Sequence, residues 1–287
     1  MKTLLPIFVV FIFPLYIIGQ NEPDDIDNLL GEQSTIVSST FKSSRIINGH
    51  SIEQPAKGEL EFRISHRFGK LNTGSYELWG LDQATIHFSL EYSPADFLTL
   101  AIGRSSYRKT FDGHVKAAIL KQQQGIPLFL SYLASAEIVT LKNELPDFRF
   151  KHKLAYVHQF LLARKFSKQF SVQLSPTLVH KNLVTENDMD NNLLSLGIGA
   201  RYKLTKRLSV NAETFLTDFG QAPGNVKYYS PIAFGIDLET GGHVFQIMVT
   251  NSLPMREVGL ISETTGDFFN GDIHLGFNIS RTFNLHK

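Results

Sequence analysis

The sequence lacks cysteine altogether and has a single tryptophan among its 287 residues. The absence of cysteine excludes disulfide bonds, thiolate metal sites, thiol catalysis and a lipid-modified N-terminal cysteine. An excess of charge of one sign is also lacking, because 28 Lys and Arg balance 27 Asp and Glu. The chain therefore has no net field that would attract nucleic acid, and we expect no nucleic-acid partner.

Long apolar runs are absent beyond the first residues. The apolar stretch from Leu4 to Ile18 follows Lys2 and precedes the small residue Gly19, which is the pattern of a secretory signal peptide over residues 1–19. The alternative is an uncleaved membrane anchor, although the stretch is short for a span of roughly 20 residues. We expect an exported protein, which a membrane must hold through β-strands.

In place of apolar runs the sequence has a repeated alternation of apolar and polar residues. Residues 84–92 show it clearly, with Ile86 and Phe88 on either side of His87. A period of two places alternate side chains on opposite faces of a strand. A turn and a second alternating strand complete a hairpin, and this unit returns over residues 194–213 and 232–249.

The strands and their connections predict the fold class. About twelve strands of about ten residues follow residue 58, and long and short connections alternate, as in outer-membrane barrels. We predict an all-β fold, an antiparallel up-and-down transmembrane β-barrel of about 12 strands over residues 58–287. Residues 20–57 are predicted to be a leader or periplasmic segment, mobile at first, with a short strand at 41–47. The alternative is a soluble periplasmic β-sandwich, in which the polar face would meet water.

Two of the predicted strands break the alternation. Phe129 and Leu133 fall on the polar face of one strand, and Val157 and Leu161 do so in the next, predicted over residues 148–162. Elsewhere the apolar face is continuous, as contact with lipid requires.

The charged side chains on the polar faces are the candidate lining of the barrel interior. The leading functional hypothesis is passage or binding of a small polar solute through the lumen, with weak ion selectivity because the charges are of both signs. Since open channels are characteristic of larger barrels, an alternative is a lumen filled by its own side chains or by the leader. The candidate lumen-lining residues are Arg63, Arg67, His87, Glu91, Lys116, Arg201, Glu213, Asp237 and Asp272.

Two rival functions belong to other classes. The first is a non-conducting structural or adhesion barrel that acts through loops 181–191 and 253–270. The second is a barrel-embedded hydrolase, which needs a nucleophile beside a histidine at the outer rim. Ser105, Ser106, Asp112 and His114 are the candidates, but their spacing is not diagnostic, and we expect no enzyme.

Other motifs carry weaker signals. His87, His114 and His274 are single histidines on separate strands without metal-ligand spacing, so we expect no metal and no cofactor. The basic run 104–109 is either a solvated rim or a contact for an anion or lipid head group. Trp79 either anchors a loop at the membrane interface or packs within that loop.

Four segments carry a resemblance to a known family. Together they resemble an uncharacterised family of outer-membrane β-barrels from Gram-negative bacteria, over roughly residue 41 to the C-terminus. The resemblance implies an exported barrel in the outer membrane and brings no activity, substrate or catalytic residue. For such a barrel we expect outer-membrane lipid, the barrel-insertion machinery and a small polar solute as partners. The segments are PAKGELEFRISHRFG (55–69), ELWGLDQATIHFSLEY (77–92), GRSSYRKTFDG (103–113) and GDIHLGFNISRTF (271–283).

Overall fold

The computed structural model describes residues 37, 39–142, 149–184, 190–218 and 227–285. The predicted signal peptide and the predicted leader up to residue 36 lie outside the described residues, so both stay predictions. Within the described ranges, no helix is long and apolar enough to cross a membrane.

The described chain forms twelve β-strands, one short α-helix and five 3₁₀-helical segments. The helix, α1, spans Glu257–Ser262, and the 3₁₀ segments span Leu71–Thr73, Ser75–Gly80, Tyr107–Lys109, Phe150–Lys153 and Phe268–Asn270. The strands are β1 (Glu59–Lys70), β2 (Ala84–Ala95), β3 (Leu98–Ser105), β4 (Thr110–Leu120), β5 (Phe129–Val139), β6 (Leu154–Lys165), β7 (Phe170–Lys181), β8 (Asn192–Lys203), β9 (Leu208–Thr217), β10 (Ile232–Thr240), β11 (His243–Thr250) and β12 (His274–Asn284).

The strands close into a single antiparallel barrel, which confirms the predicted fold class. Each strand pairs with its neighbours in the chain, and β1 pairs with β12 from Glu59 opposite Asn284 to Lys70 opposite His274. Unpaired backbone groups in hydrocarbon cost several kcal/mol each, and a closed ladder leaves no strand edge unpaired. Closure therefore gives every strand two hydrogen-bonded partners.

The alternation along each strand sorts side chains between the outer and inner faces. In β10, Phe234, Ile236 and Leu238 are about half exposed on the outside, whereas Ala233 and Asp237 are buried on the inside. This arrangement places an apolar band against lipid and a polar wall around the interior, as the sequence predicts.

The connections between strands differ at the two ends of the barrel. In barrels of this type the short turns face the periplasm and the longer loops face outward. Connection 106–109 is shorter than the others at the outer end. The turns at one end are residues 96–97, 121–128, 166–169, 204–207 and 241–242, and the loops at the other are 71–83, 106–109, 140–153, 182–191, 218–231 and 251–273.

Two segments of the chain fill the barrel interior. Residues 40–52, here called the N-terminal insert, are buried and precede β1 at the short-turn end. Residues 251–264, here called the loop insert, contain α1 and enter from the long-loop end, with the whole of α1 buried. The lumen is therefore filled by part of the leader, which is one of the alternatives given in the sequence analysis. The loop insert also fills the lumen, and sequence reasoning missed that segment.

The apolar residues that break the alternation contact these inserts. Leu161 belongs to a buried cluster with Phe41 and Ile47 of the N-terminal insert, and Phe129 packs against the same cluster. Val157 belongs to a second cluster with Val258, Leu260 and Ile261 of the loop insert. Leu133 is also fully buried. These positions are apolar because they face protein inside the barrel and not water.

Two local predictions are wrong. Residues 41–47 form no strand, and the only pairing in the N-terminal insert is an isolated bridge between Arg45 and His50. The backbone groups of the N-terminal insert bind inward-facing side chains of the barrel wall and do not pair with a neighbouring strand. The strand predicted over 148–162 begins only at Leu154, because Phe150–Lys153 form a 3₁₀ segment in which Phe150 is exposed.

The assigned facing predicts a depth-dependent cost for lipid-facing charge. Ile236 lies in the middle of its strand, and Ile236→Lys should destabilise the membrane-inserted barrel by about 2 to 4 kcal/mol. Phe283 lies at a strand end, and Phe283→Lys should destabilise the barrel by about 0 to 1 kcal/mol. Denaturant unfolding of each variant in lipid vesicles measures both costs. Equal costs at the two sites would contradict the assigned position of the bilayer.

Candidate functional site

The structure places eight of the nine candidate lumen residues on the inner wall. Asp272 is the exception: it lies in the loop before β12, where its carboxylate is 3.1 Å from Lys70 Nζ and accepts a hydrogen bond of 2.9 Å from Asn72. The eight buried residues are Arg63, Arg67, His87, Glu91, Lys116, Arg201, Glu213 and Asp237. Whether this set lines a route for solute stays a prediction.

Glu213 on β9 holds the tip of the N-terminal insert. Its carboxylate accepts hydrogen bonds from the backbone N–H groups of Ile47 at 3.1 Å, Asn48 at 2.7 Å and Gly49 at 3.2 Å. A Cβ on Gly49 would lie 2.7 Å from the ring of Phe215, so only glycine fits this close approach. Three N–H donors converging on one carboxylate form a strong, charge-assisted contact.

Polar side chains from around the wall bind the backbone carbonyl groups of the same insert. They satisfy backbone groups that would otherwise be buried without a partner. The donors lie on five different strands, so the insert is held from several sides of the barrel. The bonds are Gln173 to His50 at 2.7 Å, Gln246 to Ile46 at 2.6 Å, Asn278 to Ile47 at 2.8 Å, Arg201 to Thr40 at 2.8 Å and Lys116 to Ser51 at 3.3 Å.

The two inserts meet at Glu257 in the middle of the barrel. Its carboxylate forms a buried ion pair with Arg45, lies 3.1 Å from His50 Nε2 and lies 2.8 Å from Arg256 Nη2. Burial alone would raise the pKa of this carboxyl, but Arg256 and Arg45 outweigh it and hold the pKa well below its usual range. Glu257 is therefore charged at neutral pH and joins segments that enter from opposite ends.

Arg256 connects this junction to the wall. Its guanidinium lies 2.9 Å from Asp112 and 3.4 Å from Glu137, and Asp112 in turn lies 3.0 Å from His87 Nε2. Burial disfavours the charge of Arg256, but the surrounding carboxylates raise its pKa above the usual value. Charges from β2, β4, β5 and both inserts therefore form one buried network.

The cavities between the inserts and the wall differ in size, and one of about 280 Å³ lies beside Ile52, Ala118 and Ser131. In the described part of the chain, one of about 10 Å³ lies between Arg45, Arg67 and His87, and one of about 30 Å³ lies beside Arg256 and Glu137. A water molecule needs about 10 to 15 Å³ of such space. Neither of these two cavities has room for an organic solute.

Of the hydrolase candidates, Asp112 pairs with His87 and Arg256, whereas Ser105, Ser106 and His114 have other partners. Ser105 Oγ donates to the carbonyl of Ile86 and Ser106 Oγ accepts from the Ile86 N–H, while the ring of His114 packs 4.4 Å from that of His50. His274 Nδ1 lies 2.8 Å from the carbonyl of Phe68. Among the residues that the structure describes, no group of three or more His, Asp or Glu is arranged to hold a metal ion.

Sequence reasoning missed the central residues Arg45, Arg256 and Glu257. The available signal was the apolar run 258–261, which is unusual for a loop expected to meet water. A buried helix beside two charged residues explains that composition, because the apolar side chains pack on the wall while the charges pair within the barrel.

A family model described as a membrane-bound β-barrel domain (DUF5777) matches residues 41–283. The chain belongs to this family. The match begins at Phe41, before β1 starts at Glu59, so residues 41–52 of the N-terminal insert lie within the matched region. A closed transmembrane β-barrel of this kind places the DUF5777 protein in the outer membrane, surrounded by its lipid.

The chain was also compared with curated protein sequences and with solved structures. A search of curated protein sequences finds no match. Among solved structures, the chain is similar to the KdgM porin, at 9% identity and TM-score 0.46, over 79% of this chain and 99% of that one. An outer-membrane channel from Pseudomonas putida F1 matches at 11% identity and TM-score 0.49, over 80% and 97%. Outer-membrane phospholipase A from Escherichia coli, as an active-site mutant, matches at 11% identity and TM-score 0.46, over 85% and 97%.

Loss of the central carboxylate should destabilise the protein strongly. Glu257→Gln leaves Arg45 and Arg256 with one fewer buried counter-charge, and breaking a buried pair typically costs about 3 to 5 kcal/mol. Glu239→Gln is the matched control, because Glu239 pairs with Lys42 of the same insert but is partly exposed, where such pairs contribute about 0 to 1 kcal/mol. Urea unfolding midpoints in detergent micelles compare the two variants, and similar losses would contradict the role given to Glu257.

The buried His50 predicts weaker stability in mild acid. Burial first, and then Arg45 and His114, lower its pKa well below the usual value, although Glu257 opposes the shift. The unfolded chain therefore takes up the proton first, and stability is lost as pH falls below about 6.5, by about 1.4 kcal/mol per unit for one such group. His50→Gln should lose less stability than the wild type between pH 7.5 and 5.5.

The same urea midpoints, measured at both pH values, test this expectation. His152→Gln, in the loop before β6, is the control for removal of a histidine outside the two inserts. If His50→Gln retained the full wild-type dependence on pH, His50 would not be one of the groups responsible for it.

Proposed function

We propose that this outer-membrane barrel is a channel for a small polar solute that its own chain holds closed. The observation that carries the proposal is the polar character of the contact between the N-terminal insert and the wall. The contact consists largely of hydrogen bonds from wall side chains to backbone groups, together with the carboxylate of Glu213.

Polar contacts of this kind suit an insert that leaves the barrel. Wall groups such as Gln173, Gln246 and Asn278 bind backbone carbonyls when the insert is in place, and they can bind water when it is not. The wall would then present a wet surface with charges of both signs, which a polar solute can cross. The apolar cluster of Phe41, Ile46 and Ile47 with the wall opposes release of the N-terminal insert and accounts for closure at rest.

A second candidate function is a non-conducting barrel that acts through its outer loops. The small size of the cavities beside Arg67 and Arg256 favours it, because a permanently filled barrel has no route for solute. The proposed channel differs from it in one measurable respect, namely that weakening the insert should produce conductance. Neither proposal assigns catalytic activity to the protein, and in both we expect the barrel-insertion machinery to be the partner in assembly.

The channel is tested with a variant at the tip of the insert. In Glu213→Gln an amide replaces the carboxylate that accepts three backbone N–H groups, and each hydrogen bond to a charged group contributes about 1.5 to 3 kcal/mol. Since 1.4 kcal/mol corresponds to a factor of ten, the open probability in a planar bilayer should rise about tenfold or more. Wild-type protein should remain mostly closed.

Glu77→Gln in the outer loop 71–83 is the matched control and should leave the wild-type current unchanged. Heat-modifiable gel migration verifies that each sample is folded. A flat trace from folded Glu213→Gln protein would contradict the channel and favour the non-conducting barrel. A large steady current from the wild type would contradict the closed resting state.

A further inference from the structure

A pocket opens at the long-loop end of the barrel, directly over the loop insert. We call it the mouth pocket. It has a volume of about 280 Å³, near the lower end of typical ligand sites, which begin at about 300 Å³. Its polar lining comes from three outer connections, the end of β7 and the loop insert: Tyr107, Arg108, Lys181, Tyr228, Glu263 and Thr265.

Two cations in the mouth pocket share a single carboxylate. Glu263 Oε1 lies 2.6 Å from Arg108 Nη1 and 3.2 Å from Lys181 Nζ. Burial alone would raise the pKa of Glu263, but Lys181 and Arg108 lower it below its usual value. The carboxylate is therefore ionised at neutral pH, and these three side chains leave a net positive charge for an incoming anion.

The backbone that carries Arg108 is strained. Arg108 and Lys109 have φ angles of 49° and 50°, in the left-handed region that side chains other than glycine seldom adopt. Backbone strain of this kind concentrates at binding sites and switches. In this conformation the Arg108 guanidinium reaches Glu263, which is 155 residues away in the sequence.

We propose that the mouth pocket binds a small solute with a carboxylate group, which takes the place of Glu263 between Arg108 and Lys181. The carboxylate of Glu263 already demonstrates the chemistry that these two cations accept. Tyr107 and Tyr228 line the pocket and supply aromatic faces for the body of the solute. The pocket adjoins the loop insert through Glu263, which favours a dissolved solute over a lipid head group.

Displacement of Glu263 would also loosen the loop insert. The Glu263 N–H donates to the carbonyl of Gly259 at the end of α1, and Thr264 Oγ1 donates to the carbonyl of Leu260. The ion pairs of Glu263 therefore attach the end of the helix to the mouth of the barrel. The idea that solute binding opens the barrel rests on the proposed channel function, whereas the idea that the mouth pocket binds a carboxylate does not.

Calorimetric titration of the full-length protein in detergent, with succinate as the probe, tests the pocket. Arg108→Gln should weaken succinate binding at least tenfold, and Lys181→Gln provides the same test if Arg108→Gln does not fold. Glu263→Gln should bind succinate at least threefold more tightly than the wild type, because the internal competitor has lost its charge. A purely structural ion pair predicts no such gain.

Lys109→Gln is the matched control, since it removes the same charge one residue away from Arg108 and should leave affinity unchanged. Succinamide, which is neutral, should not bind. Equal weakening by Arg108→Gln and Lys109→Gln, no gain in Glu263→Gln, or equal binding of succinamide would overturn the proposal. The bilayer current of Glu213→Gln separates the two hypotheses. Succinate binding together with a flat Glu213→Gln trace contradicts the channel alone, and Glu213→Gln current without succinate binding contradicts the mouth pocket alone.

Discussion

The requirement that every backbone polar group be paired within hydrocarbon determines the architecture of this protein. Twelve antiparallel strands meet it by closing β1 onto β12. Closure in turn encloses an interior lined by every second residue. That interior must hold water or protein, and in this chain it holds the N-terminal insert and the loop insert. The contacts between wall and inserts therefore follow from the closed ladder.

The inserts are held by two kinds of interaction with different consequences. The apolar clusters around Leu161 and Val157 exclude water and stabilise the inserts, but the hydrophobic effect does not depend on the orientation of the groups. The buried network around Glu257 fixes the orientation of the inserts, because Arg45 and Arg256 approach its carboxylate from different inserts. A buried ion pair regains the free energy lost on desolvation only when its geometry is good. The network therefore adds little to net stability, and its main effect is to favour one arrangement of the two inserts.

Several features were predictable because they follow a short period in the sequence. In β10 and β11 the alternation placed Phe234, Ile236 and Ile247 outside, and the structure agrees. The N-terminal insert was harder, because Phe41, Ile46 and Ile47 resemble a short strand. Their backbone instead binds side chains from distant strands, such as Glu213. The irregular apolar residues Val157 and Leu161 were visible in the sequence, but their partners were not.

The amino-acid sequence by itself determined the number of strands, the facing of most side chains and the placement of the barrel in a membrane, because alternation and turn chemistry act over a few residues. Only the tertiary structure decided what occupies the lumen and which charges meet there. Arg45 and Glu257 are 212 residues apart, and no local pattern relates them. They come together because barrel closure brings segments from opposite ends of the chain into one small, water-poor space.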